Sequence, residues 1–328
     1  MKRIITLVLA LVLTFVLVAC NQPGSDVKTY KVGVSIYKFD DNFMTLYREE
    51  LQKYFKTKET DTVKYDVTVV DGKNDMATQT EQVQTFISQG VDVMIINLVQ
   101  SSSAATVTNL AKEANIPVVY INREPSAEDM KGWDKICYVG ADARQSGTFQ
   151  GQIIRDLPDH GDADGDGTVR YVMIMGDPEN VDAQYRTEFS IKALEEANIA
   201  VEKLFEQRGD WEQAKGQELA ATALSQYGEK VDVIFCNNDG MAVGAAQAIS
   251  AAGRKVGEDI YLVGVDAIDD AIDLIKAGKM TGTVLNDHVG QSHTAVDAAI
   301  RYLNGEAVET YYTVDYVKVD EEYIKNNK

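Results

Sequence analysis

The sequence predicts an α/β fold of two doubly wound parallel-sheet lobes, and three observations predict it. Nine short apolar runs rich in Val, Ile and Tyr recur along the chain: KVGVSIY, YDVTVV, VDVMIIN, PVVYIN, KICYVG, VRYVMIM, VDVIFCNN, IYLVGVD and TGTVL. Segments with helical spacing separate them, among them 75–89, 101–114, 211–227 and 239–252. The length, 328 residues, suits one large domain or two ordinary ones. Strands buried on both faces read as near-continuous apolar runs, and their alternation with helices is the pattern of βαβ units in a parallel sheet.

Taken in order, the chain opens with Lys2 and Arg3, then an apolar run from Ile4 to Val18 that ends in LVAC. This is the charged, apolar and small-residue pattern of a bacterial export signal, too short for a mature membrane span. Leu17, Val18, Ala19 and Cys20 resemble a lipobox. The expectation is a signal peptide over 1–19, acylation of Cys20, and a flexible tether over 20–29 that includes NQPGS. Strands beginning near 31, 65 and 93 make one sheet, and those near 169, 200, 231 and 261 make another. Pro117 marks the expected first crossing, with further crossings after Asn286 and around Thr313. The first lobe is therefore expected over 30–116 and 288–311, and the second over 117–287 and 312–328.

The balance of 32 basic against 51 acidic residues gives a formal charge of −19, and removal of Lys2 and Arg3 with the leader makes it −21. Such a chain repels phosphate backbones and anionic membranes, which excludes nucleic acid as a partner and leaves lipid contact to the Cys20 anchor. Apart from Cys20, only Cys137 and Cys236 remain, without a CxxC spacing. They read as buried thiols on strands or as one disulfide.

Ligands of open parallel sheets sit beyond the carboxyl ends of the strands. At those ends stand Asp41 and Phe43, Asn97, a loop with Asn180, Asp182 and Arg186, then Asn237 and Asn238, Asp266, and Asn286; Trp211 lies in the loop RGDWEQ. Each Asp or Asn taken alone reads as a turn former or helix cap. Together, the set suits a neutral polyol. Carboxylates, amides and Arg grip vicinal hydroxyls at two points, and aromatic planes pack against the C–H faces of a sugar ring.

The stretches IYKFDDNFM, INLV, YVGAD, NNDGMAVGA, VGVDA and GTVLND closely resemble the bacterial periplasmic galactose/glucose-binding proteins, across nearly the whole chain after the leader. The resemblance implies the two-lobed type I periplasmic binding protein fold with three crossings, and a monomer that clamps a hexose for an ABC permease and, in some bacteria, a chemoreceptor. It implies that Asp41, Asn97, Asp182, Arg186, Asn238, Asp266 and Asn286 hydrogen-bond the sugar while Phe43 and Trp211 stack on its ring. Asn180 stands where the family motif has histidine, which leaves glucose, galactose or another sugar such as a pentose open, as it does a sensor kinase in place of the permease.

The stretch GDADGDGTVR carries Asp162, Asp164 and Asp166 at alternate positions before Gly167, like the first half of an EF-hand loop. The twelfth position is Met173, which offers no oxygen. In a parallel sheet the start of VDVIFC can lie beside the loop, which brings Asp232 to the empty position. The resemblance implies a structural calcium ion on Asp162, Asp164, Asp166, the backbone carbonyl of Thr168, and Asp232. The ninth position, however, is Arg170, which has no lone pair to offer. The loop therefore reads either as a calcium site or as a solvated acidic turn.

Catalysis is not expected. GxSxG, P-loop and HExxH motifs are missing, GDGTVR lacks the last glycine of a dinucleotide fingerprint, and His160, His288 and His293 are scattered. A repressor of similar architecture would need a basic headpiece where the export signal stands.

Overall fold

A computed structural model describes residues 27–326. The leader, Cys20 and most of the tether fall outside the described residues. The described residues form two six-stranded sheets, each flanked by helices on both faces.

The first sheet has β1 (Lys28–Ile36), β2 (Val63–Asp71), β3 (Val93–Ile96), β4 (Val118–Ile121), β5 (Ile136–Gly140) and β11 (Tyr311–Thr313), all parallel, in the order β11-β5-β4-β3-β1-β2. The second has β6 (Val169–Met175), β7 (Val201–Arg208), β8 (Val233–Cys236), β9 (Tyr261–Val263), β10 (Gly282–Leu285) and β12 (Val317–Asp320), in the order β12-β10-β9-β8-β6-β7. Only β12 runs antiparallel. The central strands β3, β4 and β8 are buried at every residue, as their unbroken apolar sequences require.

The domain boundary expected at Pro117 is corrected by this topology. β4 and β5 extend the first sheet, so the first lobe runs on through Gly140. Pro117 immediately precedes β4, a place where a strand needs no N–H, and its carbonyl accepts the Met94 N–H at 2.9 Å. It begins a strand and does not leave the lobe. The three crossings are Ala141 and Asp142, then Asn286 and Asp287, then Val314 to Tyr316.

In the first lobe, helix α1 (Asn42–Thr57) packs beside the helix of His288–Asn304, here α9; between them in sequence lie α2 (Met76–Gln89), α3 (Ala104–Ala114), α4 (Ala143–Arg155), α5 (Val181–Glu195), α6 (Gln213–Tyr227), α7 (Asp239–Ala251) and α8 (Asp269–Lys276). His293 of α9 belongs to this helix pair, with Nε2 2.8 Å from Glu50 Oε1 and its ring stacked at 3.6 Å on Tyr54. Cys137 and Cys236 sit in different sheets as buried free thiols, and burial pushes the Cys137 thiol up to about 12. Among the described residues no helix is long and apolar enough to cross a membrane.

Helices α4 and α5 approach closely because Gly151 has no side chain. A Cβ there would lie 2.3 Å from Ser190 O and 2.7 Å from Ala193 Cβ. The Gly151→Ala substitution therefore forces two helices apart in the second lobe. It should cost about 1–3 kcal/mol of stability, read as a lower urea midpoint, and an unchanged midpoint would contradict this packing.

Candidate functional site

The carboxyl ends of both sheets face one cleft. With the exception of Asn97, every ligand residue expected from the sequence lines it: Asp41 and Phe43 from the first lobe, Asn286 from a crossing, and the remaining six from the second lobe. Tyr37, Met44, Asn122 and Arg123 of the first lobe complete the lining. These positions follow from the strand ends. Asp41 lies after β1, Arg123 after β4, Asn180 after β6, Trp211 after β7, Asn238 after β8, Asp266 after β9 and Asn286 after β10.

Asp41 caps α1 by accepting the Met44 N–H at 2.7 Å, and its other oxygen accepts the Tyr37 hydroxyl at 2.6 Å. Asn180 caps α5 through Oδ1, which accepts the Asp182 N–H at 3.0 Å and leaves its NH₂ group without a protein partner. Asn238 caps α7 by accepting the Met241 N–H at 3.0 Å and donates to Trp211 O at 3.2 Å. Asn237, the neighbour also noted at this strand end, is wholly buried and accepts the Gly176 N–H at 3.0 Å, so it supports the floor.

Asn97 lies beneath the cleft and does not line it. It is fully buried; Oδ1 accepts the Tyr37 N–H at 3.2 Å, and Nδ2 donates to Ile121 O at 3.2 Å and Asn122 Oδ1 at 3.1 Å. All its amide donors and an acceptor position are committed to holding β1, β3 and β4 ends together beneath the cleft.

Arg123 was missed because a lone arginine in the loop NREP carries no motif. It is buried, stacks at 3.8 Å over the Tyr37 ring, and donates from Nη1 to Val99 O. Arg186 lies one helical turn from Asp182, with N to O at 3.8 Å, and donates to Asn237 O at 2.8 Å and to the Tyr316 hydroxyl at 3.0 Å. Burial opposes its charge, but Tyr316, Asp266 and Asp182 outweigh burial and raise its pKa. Burial raises the Asp182 carboxyl above its ordinary value against the attraction of Arg186 and Arg123, and raises Asp266 strongly, with Asp239 and Asp41 adding repulsion.

Asp266 is held at φ 123° and Ala267 at φ 55°, a region that L residues rarely adopt. Behind them the buried Asp239 accepts from Thr283 Oγ1 at 2.7 Å and from the Ile268 N–H at 3.1 Å, which pins the strained turn. Asn286 Nδ2 donates to Asp266 Oδ1 at 3.1 Å, and Gln291 holds Asn286 in turn at 2.6 Å. Trp211 is also at positive φ, 68°, and its ring lies against Gly176, where a Cβ would come within 2.2 Å of the indole. Three buried donors of the lining, Arg123 Nε, Arg186 Nε and Trp211 Nε1, have no protein partner. The cleft can therefore donate and accept at close range around a small polar solute.

The acidic loop lies at the opposite end of the second lobe, where β6 begins. Carboxylate oxygens of Asp162, Asp164 and Asp166 lie within 4.8 Å of one another, a donor set suited to a hard cation. Asp232, at the start of β8, accepts the Arg170 N–H at 2.7 Å through Oδ2, while its buried Oδ1 has no partner. Thr168 donates its N–H to Asp166 at 3.1 Å. Against a calcium ion stands the Arg170 guanidinium, which is bonded to both Asp164 and Asp166.

Comparison with known proteins agrees with this geometry. A profile of the periplasmic binding protein domain matches residues 32–307. The D-galactose/methyl-galactoside binding periplasmic protein MglB of Haemophilus influenzae is 36% identical over 281 residues, which cover 84% of this chain and 82% of that protein. A putative rhizopine-binding protein of Rhizobium meliloti is 37% identical over 280 residues, covering 85% and 86%. Among solved structures, an ABC transporter solute-binding protein of Bacillus halodurans with bound myo-inositol superposes with a TM-score of 0.79 at 27% identity, covering 94% of this chain and 99% of that one. The matched length, the fold and the polar interlobe cleft together establish that the chain belongs to the periplasmic binding protein family, as a type I sugar-binding protein of ABC transport.

Proposed function

We propose that the protein captures a hexose, galactose or glucose, in the interlobe cleft and delivers it to an ABC permease. The observation that carries this reading is the pairing of three partnerless buried donors with Asp41, Asp182 and Asp266 in one small lining. A hydroxyl both accepts and donates, so one neutral polyol answers both groups at once. An anion would meet three carboxylates, and a cation two arginines.

Binding across the cleft selects the closed arrangement by differential affinity. Gln100 of the first lobe already donates to Glu179 of the second, which gives closure a polar latch at the cleft rim. In this reading Cys20 carries the lipid that keeps the extracytoplasmic protein near its permease, and a chemoreceptor is a second reader of the closed form. The absence of a family histidine at Asn180 is offset by the free NH₂ group of Asn180, which can still donate one hydrogen bond.

A second reading is a cyclitol such as myo-inositol. Its ring of hydroxyls would meet the same buried donors and carboxylates as a hexose. The bound myo-inositol of the Bacillus halodurans protein points the same way.

Titration calorimetry of the purified protein with glucose, galactose, ribose, xylose, arabinose and myo-inositol separates these readings. Galactose or glucose is expected to bind one to one and tightest. Tighter myo-inositol binding would transfer the assignment to the cyclitol, and silence on all six would overturn both. Trp211→Ala and Asp182→Asn should each weaken the bound sugar about 10- to 100-fold with unchanged circular dichroism, because the first removes a buried donor and the second turns one charged acceptor oxygen into an amide donor. Unchanged affinity in both variants would remove the cleft from consideration.

Proton linkage gives a further check. Burial raises Asp182 and Asp266 in the empty cleft, and a sugar hydroxyl donated to either carboxylate favours its ionised form. The complex then holds fewer protons than the free protein, so affinity should rise with pH above the ordinary carboxylate range. Calorimetry in buffers of different ionisation heat should register proton release, and proton uptake would contradict the contact.

A further inference from the structure

We propose that Arg170 is the resident cation of the acidic loop, so that this chain orders residues 162–168 with its own guanidinium in place of a bound divalent ion. The contacts of Arg170 carry the inference. Nη1 reaches Asp164 Oδ2 at 3.4 Å, Nη2 bonds Asp166 Oδ2, and Nε reaches Glu202 Oε2 at 3.1 Å, at the start of β7. The side chain is 19% exposed, against 42% for both Asp164 and Asp166, and its guanidinium contacts three carboxylates at once, those of Asp164, Asp166 and Glu202.

The remaining acid is already committed. Asp162 Oδ1 accepts the Gly165 and Asp166 N–H groups at 3.0 and 3.1 Å, and Oδ2 accepts the Gly167 N–H at 2.8 Å. Asp162 thus folds the loop, and Asp164 and Asp166 close on the guanidinium. Three carboxylates this close repel one another unless a cation sits among them. A guanidinium stays charged at every ordinary pH, supplies five donors and has no lone pair, so it can replace a cation but never ligate one.

Position also favours Arg170. Its backbone N–H is fixed by Asp232, and β6 pairs with β7 on one side and β8 on the other. The side chain therefore leaves a strand held from both edges and reaches back over four residues to the loop. A divalent ion would have to take the same Asp164 and Asp166 oxygens, and Arg170 would have to leave them.

The test compares the purified protein with Arg170→Gln, which removes the charge and supplies an oxygen. The unaltered protein should melt identically in chelator and in about 5 mM calcium, and should show no calcium heat by calorimetry. Arg170→Gln should melt about 2–4 °C lower in chelator and recover when calcium is added. A melting point of the unaltered protein that falls in chelator and returns with calcium would overturn the proposal. So would an Arg170→Gln protein whose melting point is unchanged, or one that is destabilised and not rescued by calcium, since neither would have a cation position at Arg170.

Discussion

Asp41, Asn180 and Asn238 each use one side-chain oxygen to accept a backbone N–H two or three residues further on, at 2.7, 3.0 and 3.0 Å, and so start the helices that follow β1, β6 and β8. The first turn of a helix leaves its N–H groups without partners, and a short polar side chain at the cap answers them. In a doubly wound sheet those caps stand at the carboxyl ends of strands, where the cleft lies. Capping therefore fixes polar side chains at the cleft whether or not a ligand is present. The group that does not serve the helix is free of protein partners at Asn180, while at Asp41 it accepts the Tyr37 hydroxyl and at Asn238 it donates to Trp211 O, so all three are held rigidly in the lining.

This dual use explains how the sequence could be read. The alternation of apolar runs and helical spacing located the strands, and the rule that ligands sit beyond strand ends located nine of the expected residues. Cap and cleft-lining residue are not competing interpretations of Asp41, Asn180 or Asn238, because one side chain both starts its helix and lines the cleft. Asn97 is kept out of the lining for a reason that no pattern carries. It also follows a strand, but β3 is central, and its neighbours β1 and β4 close over the side chain and consume it. Arg123 was illegible for the converse reason, since its role depends on the ring of Tyr37 and the carbonyl of Val99, both distant in sequence. Pro117 misled because a proline marks a strand start as readily as a departure from a lobe.

Rigidity is supplied from behind the lining by residues that never reach the solute. Asp239 holds the turn at Asp266 and Ala267 in its positive-φ conformation, and burial lifts its carboxyl to about 7. Asn97 and Asn237 perform the same service beneath the first and second sheets. Strained or buried polar groups of this kind destabilise a fold unless their surroundings fix them. Here each is bonded on two or more sides, so the strain is localised where a site needs one geometry.

The crossings bind this rigid lining to motion. Asn286 lies in the second crossing and donates to Asp266, while Tyr316 lies in the third and accepts from Arg186. Two residues that hold site side chains are thus parts of the links between the lobes. Each crossing is only two or three residues long, too short to absorb rotation without changing its own backbone angles. A rotation of the lobes would therefore reorient Asn286 and Tyr316, and would withdraw their hydrogen bonds from Asp266 and Arg186. A solute that needs both groups in place favours the closed arrangement twice, through its contacts with the two lobes and through the hinge that aligns them.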